Sequence, residues 1–263
     1  MTMAKSLLRR VPGLMHLRRS GRLNAWLRRG YGSHWGRFAT RADATAFLRP
    51  SDRITYDDDR IVQINVESFS EVHLFDWPVL FHLRNAMAGR DRFVVTDFGG
   101  HIGVKYYAFR PLLETMGSFV WQVVDLPAAC REGRRRGLGK EAELGFFETV
   151  EETAPCDTLI LSGVTPYADL DVSTIVQRLP VRPRHILLNK VATTTDGDSY
   201  FTLESFGPGR MPYRVMSPGE LDRMRESLGY RRIAHWTIPH RDVDVPHARG
   251  TTRTRMIGEA WAG

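Results

Sequence analysis

The sequence has few cysteines, no long apolar run and no acidic residue among its first 37 positions, and each absence excludes a class of protein. Cys130 and Cys156 are the only cysteines in 263 residues, too few for a disulfide framework or a zinc cluster. We therefore expect both to be reduced and structural. No apolar stretch reaches the roughly 18 residues of a membrane-spanning helix, and arginines interrupt the segment that would form a signal-peptide core. We expect a cytoplasmic protein without a transmembrane segment.

The positive charge of the chain is concentrated at its start. Residues 1–37 contain nine of the 37 basic residues, and removing those nine leaves 28 basic residues against 30 acidic ones. The formal charge of +7 therefore belongs to this arm. Such an arm suits an acidic partner, a nucleic acid or an anionic membrane, or it forms short amphipathic helices whose arginines lie in water. We expect residues 1–74 to form a basic helical arm and cap, and residues 75–263 to form the main domain.

From residue 93 onward, apolar strand-like runs alternate with helical segments, which is typical of a parallel sheet covered on both faces. The predicted strands are 93–96, 119–124, 158–161, 184–188 and 231–238. The predicted helices are 41–48, 75–87, 104–115, 128–136, 172–178 and 218–228. Ser217, with Glu220 three residues later, predicts a capped start for the last helix. The polar and glycine-rich stretch 193–210 predicts a long loop over the carboxyl edge of the sheet, where acceptor pockets commonly form.

The first predicted strand ends at Asp97 and runs into a glycine-rich turn at Gly99, Gly100 and Gly103, followed by a helix. Glycines let the backbone turn sharply and let a ligand approach closely, and the first turn of the helix presents unpaired N–H groups. The second strand ends at Asp125, which is placed to accept hydrogen bonds from two ribose hydroxyls. The pattern predicts a site for a nucleotide-like cofactor.

These motifs resemble those of class I S-adenosylmethionine-dependent methyltransferases. The resemblance includes Asp125-Leu126-Pro127 after the second strand and the run 157–167, which contains the fourth strand and the residues that follow it. More narrowly, residues 75–240 are similar to a group of bacterial methyltransferases of natural-product and polysaccharide pathways. The resemblance implies an α/β fold with a Rossmann-like, mostly parallel seven-stranded sheet, helices on both faces and an N-terminal helical cap. It also implies S-adenosylmethionine as the cofactor and a small molecule as the methyl acceptor.

The resemblance also implies which residues contact the cofactor. They are Asp97, Gly99, Gly100, His101, Gly103, Asp125, Leu126, Phe147 and Ser162. Asp97 would orient the amino group of the cofactor, the glycines would pass under its methionine and ribose, and Phe147 would lie near the adenine or serve as core. His101 stands where the commonest pattern has glycine, so it either caps the turn or contacts the methionine part of the cofactor.

The methyl group of a sulfonium is already activated, so such an enzyme mainly holds a nucleophile in line and removes its proton. The candidate catalytic residues follow the fourth and fifth strands and are Tyr167, Ser162 and Asn189. The candidate substrate contacts are Tyr106, Tyr107 and Trp35, each of which is equally suited to the core.

Two features of this region distinguish the chain from well-known relatives. Small-molecule O-methyltransferases often carry a histidine base where Tyr167 stands, which leaves His235 and His240 as other candidate bases. The divalent-metal enzymes need paired Asp and Asn ligands, whereas this chain offers Ser162-Gly163 and Asn189-Lys190. We therefore expect no metal.

Other functions remain open on the sequence alone. Self-cyclisation of S-adenosylmethionine to azetidine-2-carboxylate and methylthioadenosine needs the same cofactor site but no acceptor. A methyltransferase directed to nucleic acid would use the basic arm, although Thr165-Pro166-Tyr167 only faintly matches the motif of RNA enzymes, so we do not favour nucleic acid as a partner. A nicotinamide dehydrogenase has a similar glycine turn. A homodimer is compatible with the sequence, which leaves the oligomeric state open.

Overall fold

The computed structural model describes residues 33–55, 57, 71–195, 197–206 and 209–263. Its strands are β1 (Ser33–Phe38), β2 (Arg92–Phe98), β3 (Ser118–Val124), β4 (Leu144–Phe147), β5 (Thr158–Ser162), β6 (His185–Thr194), β7 (Tyr200–Phe206), β8 (Gly209–Val215), β9 (Arg231–Thr237), β10 (Val243–His247) and β11 (Gly250–Ala262). Its helices are α1 (Arg41–Phe47), α2 (Trp77–Met87), α3 (Val104–Leu113), α4 (Pro127–Arg135), α5 (Val172–Arg178) and α6 (Pro218–Ser227).

Five strands of the main sheet are parallel and lie in the order β4-β3-β2-β5-β6. Counting only these five in chain order gives 3-2-1-4-5, the arrangement of a doubly wound nucleotide-binding sheet. The predicted Rossmann-like, mostly parallel sheet is confirmed. Its direction of winding reverses between β2 and β5, which fixes where a ligand site can form.

The sheet continues beyond β6 with antiparallel pairing. β11 lies antiparallel to β6 on one side and pairs antiparallel with β9 and β10. The main sheet therefore has eight strands where the resemblance implies seven, because residues 243–247 pair with the first residues of β11. β9 runs parallel to β6, so both end at the same edge of the sheet.

Alternate side chains of the central strands enter two cores, one on each face of the sheet. Val95, Ile160 and Leu187 belong to the core that includes side chains of α2 and α3. Leu161 and Leu188 belong to the core that includes side chains of α5 and α6. A strand buried on both faces has no polar alternation, which is why these segments read as continuous apolar runs. Helices on both faces are confirmed.

A second, three-stranded antiparallel sheet of order β1-β7-β8 stands beside the main one. The prediction of a long loop over residues 193–210 is wrong, because β6 extends to Thr194 and residues 200–215 form the β7–β8 hairpin. Six of the seven residues of β7 are buried, so packing and the strand ladder outweigh the polar turn residues on either side.

The predicted helical cap is only partly helical in the described residues. Residues 41–47 form α1, which begins with a capping box between Thr40 and Asp43, whereas residues 33–38 form β1 and pair with β7. The arm at residues 1–32 lies outside the described residues. The division at residue 74 stays a prediction. No helix in the described part of the chain is both long enough and apolar enough to span a bilayer.

Candidate functional site

The turns that follow β2 and β5 meet at the carboxyl edge, where the order of the parallel strands reverses. Gly99 in the first turn has a φ of +74°, and a Cβ on it would collide with the side chain of Val164 in the second turn. Its N–H donates to the carbonyl oxygen of Val124 at 2.8 Å. Glycine alone tolerates this conformation in so little space. The two turns therefore form one packed unit.

Asp97 lies at the base of this turn and is 1% exposed. The indole N–H of Trp121 donates to Asp97 Oδ2 at 3.2 Å, and a Cβ on Gly100 would lie 2.7 Å from the same oxygen. Burial raises the pKa of Asp97 to about 7, although the Trp121 hydrogen bond and the charges of Lys105 and Lys190 oppose the rise. A buried carboxyl group with a strongly raised pKa at the carboxyl edge of the sheet is a candidate functional group.

Asp125 follows β3, and two backbone N–H groups orient its carboxylate. The N–H of Leu126 donates to Oδ1 and that of His101 donates to Oδ2, both at 2.7 Å. Burial raises the pKa of Asp125 to about 6, while these two hydrogen bonds limit the rise. A carboxylate has about four acceptor positions, so both oxygens keep a lone pair for a ligand hydroxyl. The Asp125 carboxylate therefore has a fixed orientation and can still accept hydrogen bonds from a ligand.

His101 and Gly103 shape the rest of the turn. His101 has a φ of +59°, and this left-handed conformation accompanies the hydrogen bond from its backbone N–H to Asp125. Its ring Nδ1 is buried without a hydrogen-bond partner among the described residues, and burial lowers the pKa of His101 to about 4, so the ring is neutral. Gly103 has a φ of +80° at the start of α3, and its N–H donates to the Gly100 carbonyl at 3.0 Å.

An apolar surface lies beside Asp125. Leu126 is 43% exposed at the end of β3. Phe147 ends β4, where its carbonyl oxygen accepts from the N–H of Asp125 at 3.1 Å and its ring packs into the core. Asp57 caps the neighbouring α4, because its Oδ1 accepts from the N–H of Ala128 at 2.9 Å. Sequence reasoning missed Asp57, for which an acidic turn was the only signal.

Ser162 and Asn189 face each other at the ends of β5 and β6, as register partners. The Asn189 amide donates to Ser162 Oγ at 3.4 Å and to the Phe75 carbonyl at 3.1 Å, and its Oδ1 accepts from the indole of Trp236 at 3.2 Å. Asn189 is fully buried. The Asn189 amide therefore links β5, the turn at Phe75 and β9.

Lys190 directly follows Asn189 at this edge, and sequence reasoning did not select it. Its φ is +56°, an uncommon conformation for a residue with a side chain. The side chain crosses Gly163, where a Cβ would lie 2.8 Å from Lys190 Cε and 3.1 Å from Nζ. Burial lowers the pKa of Lys190 to about 8, and the charges of Lys105 and Arg241 add to the effect. The available signal was a lysine immediately after an apolar parallel strand.

Tyr167 lies in the loop after β5, and its side chain joins that loop to the second sheet. Its hydroxyl donates to Glu204 Oε2 at 2.6 Å, and its ring meets Tyr213 edge-on with centroids 5.1 Å apart. Burial raises the pKa of Glu204 to about 7, and the hydrogen bond from Tyr167 opposes the rise. Glu204 was missed because its strand was predicted as loop.

The structure does not gather the other aromatic candidates at this edge. Tyr106 is buried in the core against Phe119 and Trp121. The hydroxyl of Tyr107 donates to the Glu141 carboxylate at 3.4 Å. Trp35 lies in β1, and its ring contacts are made within the cap, with Phe38 and Phe47.

The histidines proposed as bases are also placed elsewhere. His235 Nδ1 lies 3.2 Å from the buried carboxylate of Glu259 in the middle of the β9–β11 pair. β11 and β6 lie between β9, which carries His235, and β5. His240 is exposed in the turn after β9. In the described parts of the chain, no group of three or more His, Cys, Asp or Glu side chains could hold a metal ion.

No protein-family model matches this chain, and no curated protein matches it. Among solved structures, it is similar to a 1,6-didemethyltoxoflavin-N1-methyltransferase of Burkholderia thailandensis with S-adenosylhomocysteine bound, at 16% identity and a TM-score of 0.43 over 84% of this chain and 91% of that one. It is also similar to a glycopeptide N-methyltransferase complexed with S-adenosylmethionine, at 12% identity and a TM-score of 0.45 over 73% and 96% of the two chains.

Proposed function

We propose that this protein binds S-adenosylmethionine at the turns that follow β2 and β5, and that it transfers the methyl group to oxygen or nitrogen of a small molecule. The observation that carries the proposal is the Asp125 carboxylate, which two backbone N–H groups hold at 2.7 Å beside the glycine turn. Carboxylates at the end of the second parallel strand bind ribose hydroxyls in dinucleotide folds. The acceptor in this proposal is a natural-product intermediate, and the protein acts in the cytoplasm.

The residues at this edge fit such a cofactor. Gly99 and Gly100 would pass under its methionine and ribose, because a Cβ on either residue would displace Val164 or Asp97 and change the shape of the turn. Asp97 would bind the amino group, whose positive charge offsets the cost of a buried carboxylate. The exposed side chain of Leu126 would pack on the adenine. When bound, S-adenosylmethionine supplies a methyl group that its sulfonium already activates.

The remaining step is removal of a proton from the acceptor, and we assign it to the pair Tyr167 and Glu204. The Tyr167 hydroxyl would take the acceptor proton while it passes its own proton to Glu204 Oε2, at 2.6 Å. Burial raises the pKa of Glu204 to about 7, which suits a proton acceptor near neutral pH. Ser162 Oγ, held by Asn189 at 3.4 Å, would position the acceptor.

The test is calorimetric titration of S-adenosylhomocysteine into the protein and into Asp125→Asn. The substitution keeps the shape of the side chain but removes the charge that strengthens hydrogen bonds to ribose, so we expect affinity to fall by about tenfold or more. Asp244→Asn, on the exposed face of β10, is the matched control and should bind normally. Equal affinities for all three proteins would contradict the proposed site.

The reaction is tested by incubation with S-adenosylmethionine and no acceptor, followed by mass spectrometry. Methyl transfer predicts that the bound cofactor persists, because no nucleophile is present. Enzyme-dependent methylthioadenosine together with azetidine-2-carboxylate would overturn methyl transfer in favour of self-cyclisation. Binding of a nicotinamide cofactor in place of S-adenosylmethionine would overturn both.

A further inference from the structure

Three cationic side chains surround Phe75 at the carboxyl edge of the main sheet. From the centroid of the Phe75 ring, Lys190 Nζ lies at 5.2 Å, Arg241 Cζ at 5.3 Å and Lys105 Nζ at 5.6 Å. Phe75 belongs to the short 3-10 turn Leu74–Asp76 before α2. An aromatic ring attracts cations through its quadrupole, but it carries no net charge to cancel theirs. The cluster therefore concentrates positive charge.

Carboxylates in the cluster balance this charge only in part. Lys105 Nζ donates to Asp76 Oδ2 at 2.6 Å, in an ion pair that is almost fully buried. The other carboxylate is Asp97, whose raised pKa of about 7 makes its negative charge incomplete at neutral pH. Lys190 has a lowered pKa because of its burial and the nearby charges of Lys105 and Arg241, although Asp76 and Asp97 pull in the opposite direction. Among the described residues, three cationic groups face two carboxylates, so the formal charge of the cluster is positive.

A carboxylate oxygen also points to missing interactions in this cluster. Asp76 Oδ1 is buried, and among the described residues it has no hydrogen-bond partner. Oδ2 of the same carboxylate accepts from both Lys105 and the backbone N–H of His73. An orphaned buried oxygen is costly in a folded protein. A bound molecule would satisfy it with a hydroxyl or amine donor, and not with an anionic group.

The cluster reaches the surface at Arg241 and adjoins the proposed cofactor turn. Lys105 is buried, Lys190 is partly buried and Arg241 is exposed in the turn after β9. The side chain of Lys190 crosses Gly163, and Val164, the next residue, packs against Gly99. A molecule that entered past Arg241 would reach Lys190 close to the turn at which the cofactor is expected.

We propose that the acceptor carries an anionic group, a carboxylate or a phosphate, which Arg241 and Lys190 bind beside Phe75. The inference rests on the proposed function, because it places the acceptor next to the cofactor. A guanidinium binds either group through two parallel hydrogen bonds, and an ammonium binds it as a point charge. The bound anion would complete the charge balance of the cluster. Its negative charge would also attract it toward a sulfonium.

The test uses three small aromatic probes that differ in charge, of which benzoate and benzamide have nearly the same shape. Benzoate, phenyl phosphate and neutral benzamide are titrated into the protein loaded with S-adenosylhomocysteine. We expect at least one anion to bind about tenfold or more tightly than benzamide, and Arg241→Gln to abolish the difference. Arg249→Gln, an exposed arginine between β10 and β11, is the matched control and should retain it. The stronger of the two anions identifies the group.

Three results would overturn the inference. The first is equal affinity for the anions and benzamide, and the second is an anion preference that survives Arg241→Gln. The third is weaker binding of S-adenosylhomocysteine to Arg241→Gln, since the cations would then serve the carboxylate of the cofactor itself. Failure of S-adenosylhomocysteine to bind at all contradicts the proposed function instead, and the same anion comparison on the unloaded protein then decides whether the anion site exists.

Discussion

At the scale of single residues, the proposed site contains ionisable side chains whose charged form is disfavoured by burial. Asp97 is the clearest case, because its ordinary pKa of 3.8 rises to about 7 in the folded protein. Between these values the folded chain binds a proton that the unfolded chain has released. Folding stability therefore falls as the pH rises through this range, and the cost is fully present above about pH 7. A ligand ammonium would remove that cost.

Replacing Asp97 by Asn tests this at the residue scale. The variant cannot ionise, so we expect its free energy of unfolding at pH 8 to exceed that of the natural chain by up to about 4 kcal/mol, and the gain to shrink toward pH 5. Urea unfolding at both pH values, without ligand, measures it. Asp244→Asn is the control for charge removal alone. If the free energy of unfolding depends on pH in the same way for the natural chain and for Asp97→Asn, ionisation of the buried Asp97 carboxyl group does not lower the stability.

Residues whose role follows from local chain geometry were predictable from sequence, and those that depend on distant packing were not. Asp97 and Asp125 end apolar strands, so their position at the carboxyl edge follows from the pattern. Lys190 gains its place from a left-handed backbone and from Gly163 in another loop. Glu204 meets Tyr167 only because β7 packs against the loop after β5. No local pattern encodes such pairings.

At the scale of elements, α1 fastens the loop that follows β5. Arg41 Nη2 donates to the carbonyl oxygens of Tyr167 and Ala168 at 2.7 and 2.8 Å, and Nη1 lies 3.2 Å from the carboxylate of Asp169. Arg214 adds a backbone hydrogen bond from β8 to the Pro166 carbonyl at 2.7 Å. The loop with the proposed proton acceptor is therefore held from the second sheet and the cap.

Arg41→Gln should loosen this loop without unfolding the sheet. Hydrogen bonds from a charged group contribute roughly 1.5–3 kcal/mol each, so we expect the amides of Tyr167 and Ala168 to exchange about tenfold or more faster. Hydrogen exchange followed by mass spectrometry measures this, with Arg49→Gln at the exposed end of the cap as the control. Unchanged exchange in Arg41→Gln would mean that the hairpin alone holds the loop.

Five of the eight strands of the main sheet were predicted, because burial on both faces gives long apolar runs, whereas β4, β10 and β11 were not among the predicted strands. The helix predicted at 172–178 has those bounds, and Ser217 accepts from the N–H of Glu220 at 3.2 Å as its capping role requires. The β7–β8 hairpin was not predictable. Its stability comes from pairing with β1, more than 160 positions earlier in the chain, and local polar residues gave the opposite signal.

At the scale of the whole molecule, the excess positive charge lies in the basic arm, which can be removed without changing any residue of the proposed site. Removing residues 1–32 takes away eight basic residues and changes the formal charge from +7 to −1. The cut stops before β1, because that strand pairs with β7. We expect the shortened chain to bind S-adenosylhomocysteine within about twofold of the full chain, since Asp97 and Asp125 are untouched. Titration at low and at physiological salt measures both proteins.

The same pair of proteins distinguishes the roles considered for the arm. Loss of cofactor affinity at both salt concentrations would contradict the expectation and indicate a lid over the site. Salt-sensitive binding of single-stranded RNA by the full chain alone would identify the arm as a steering segment for nucleic acid. Equal behaviour of the two proteins in both assays leaves the arm without a part in ligand binding.

The position of β11 constrains the order in which the protein can assemble on the ribosome. β11 separates β6 from β9 and β10, although it is synthesised after all of them. Until residues 250–262 emerge, β6 presents an open edge at which other chains can pair. Gly99 and its partner Val164 after β5 are synthesised 151 and 86 positions before Gly250, where β11 begins. The proposed cofactor site therefore lies in a part of the chain that is synthesised before the strand that covers the edge of β6.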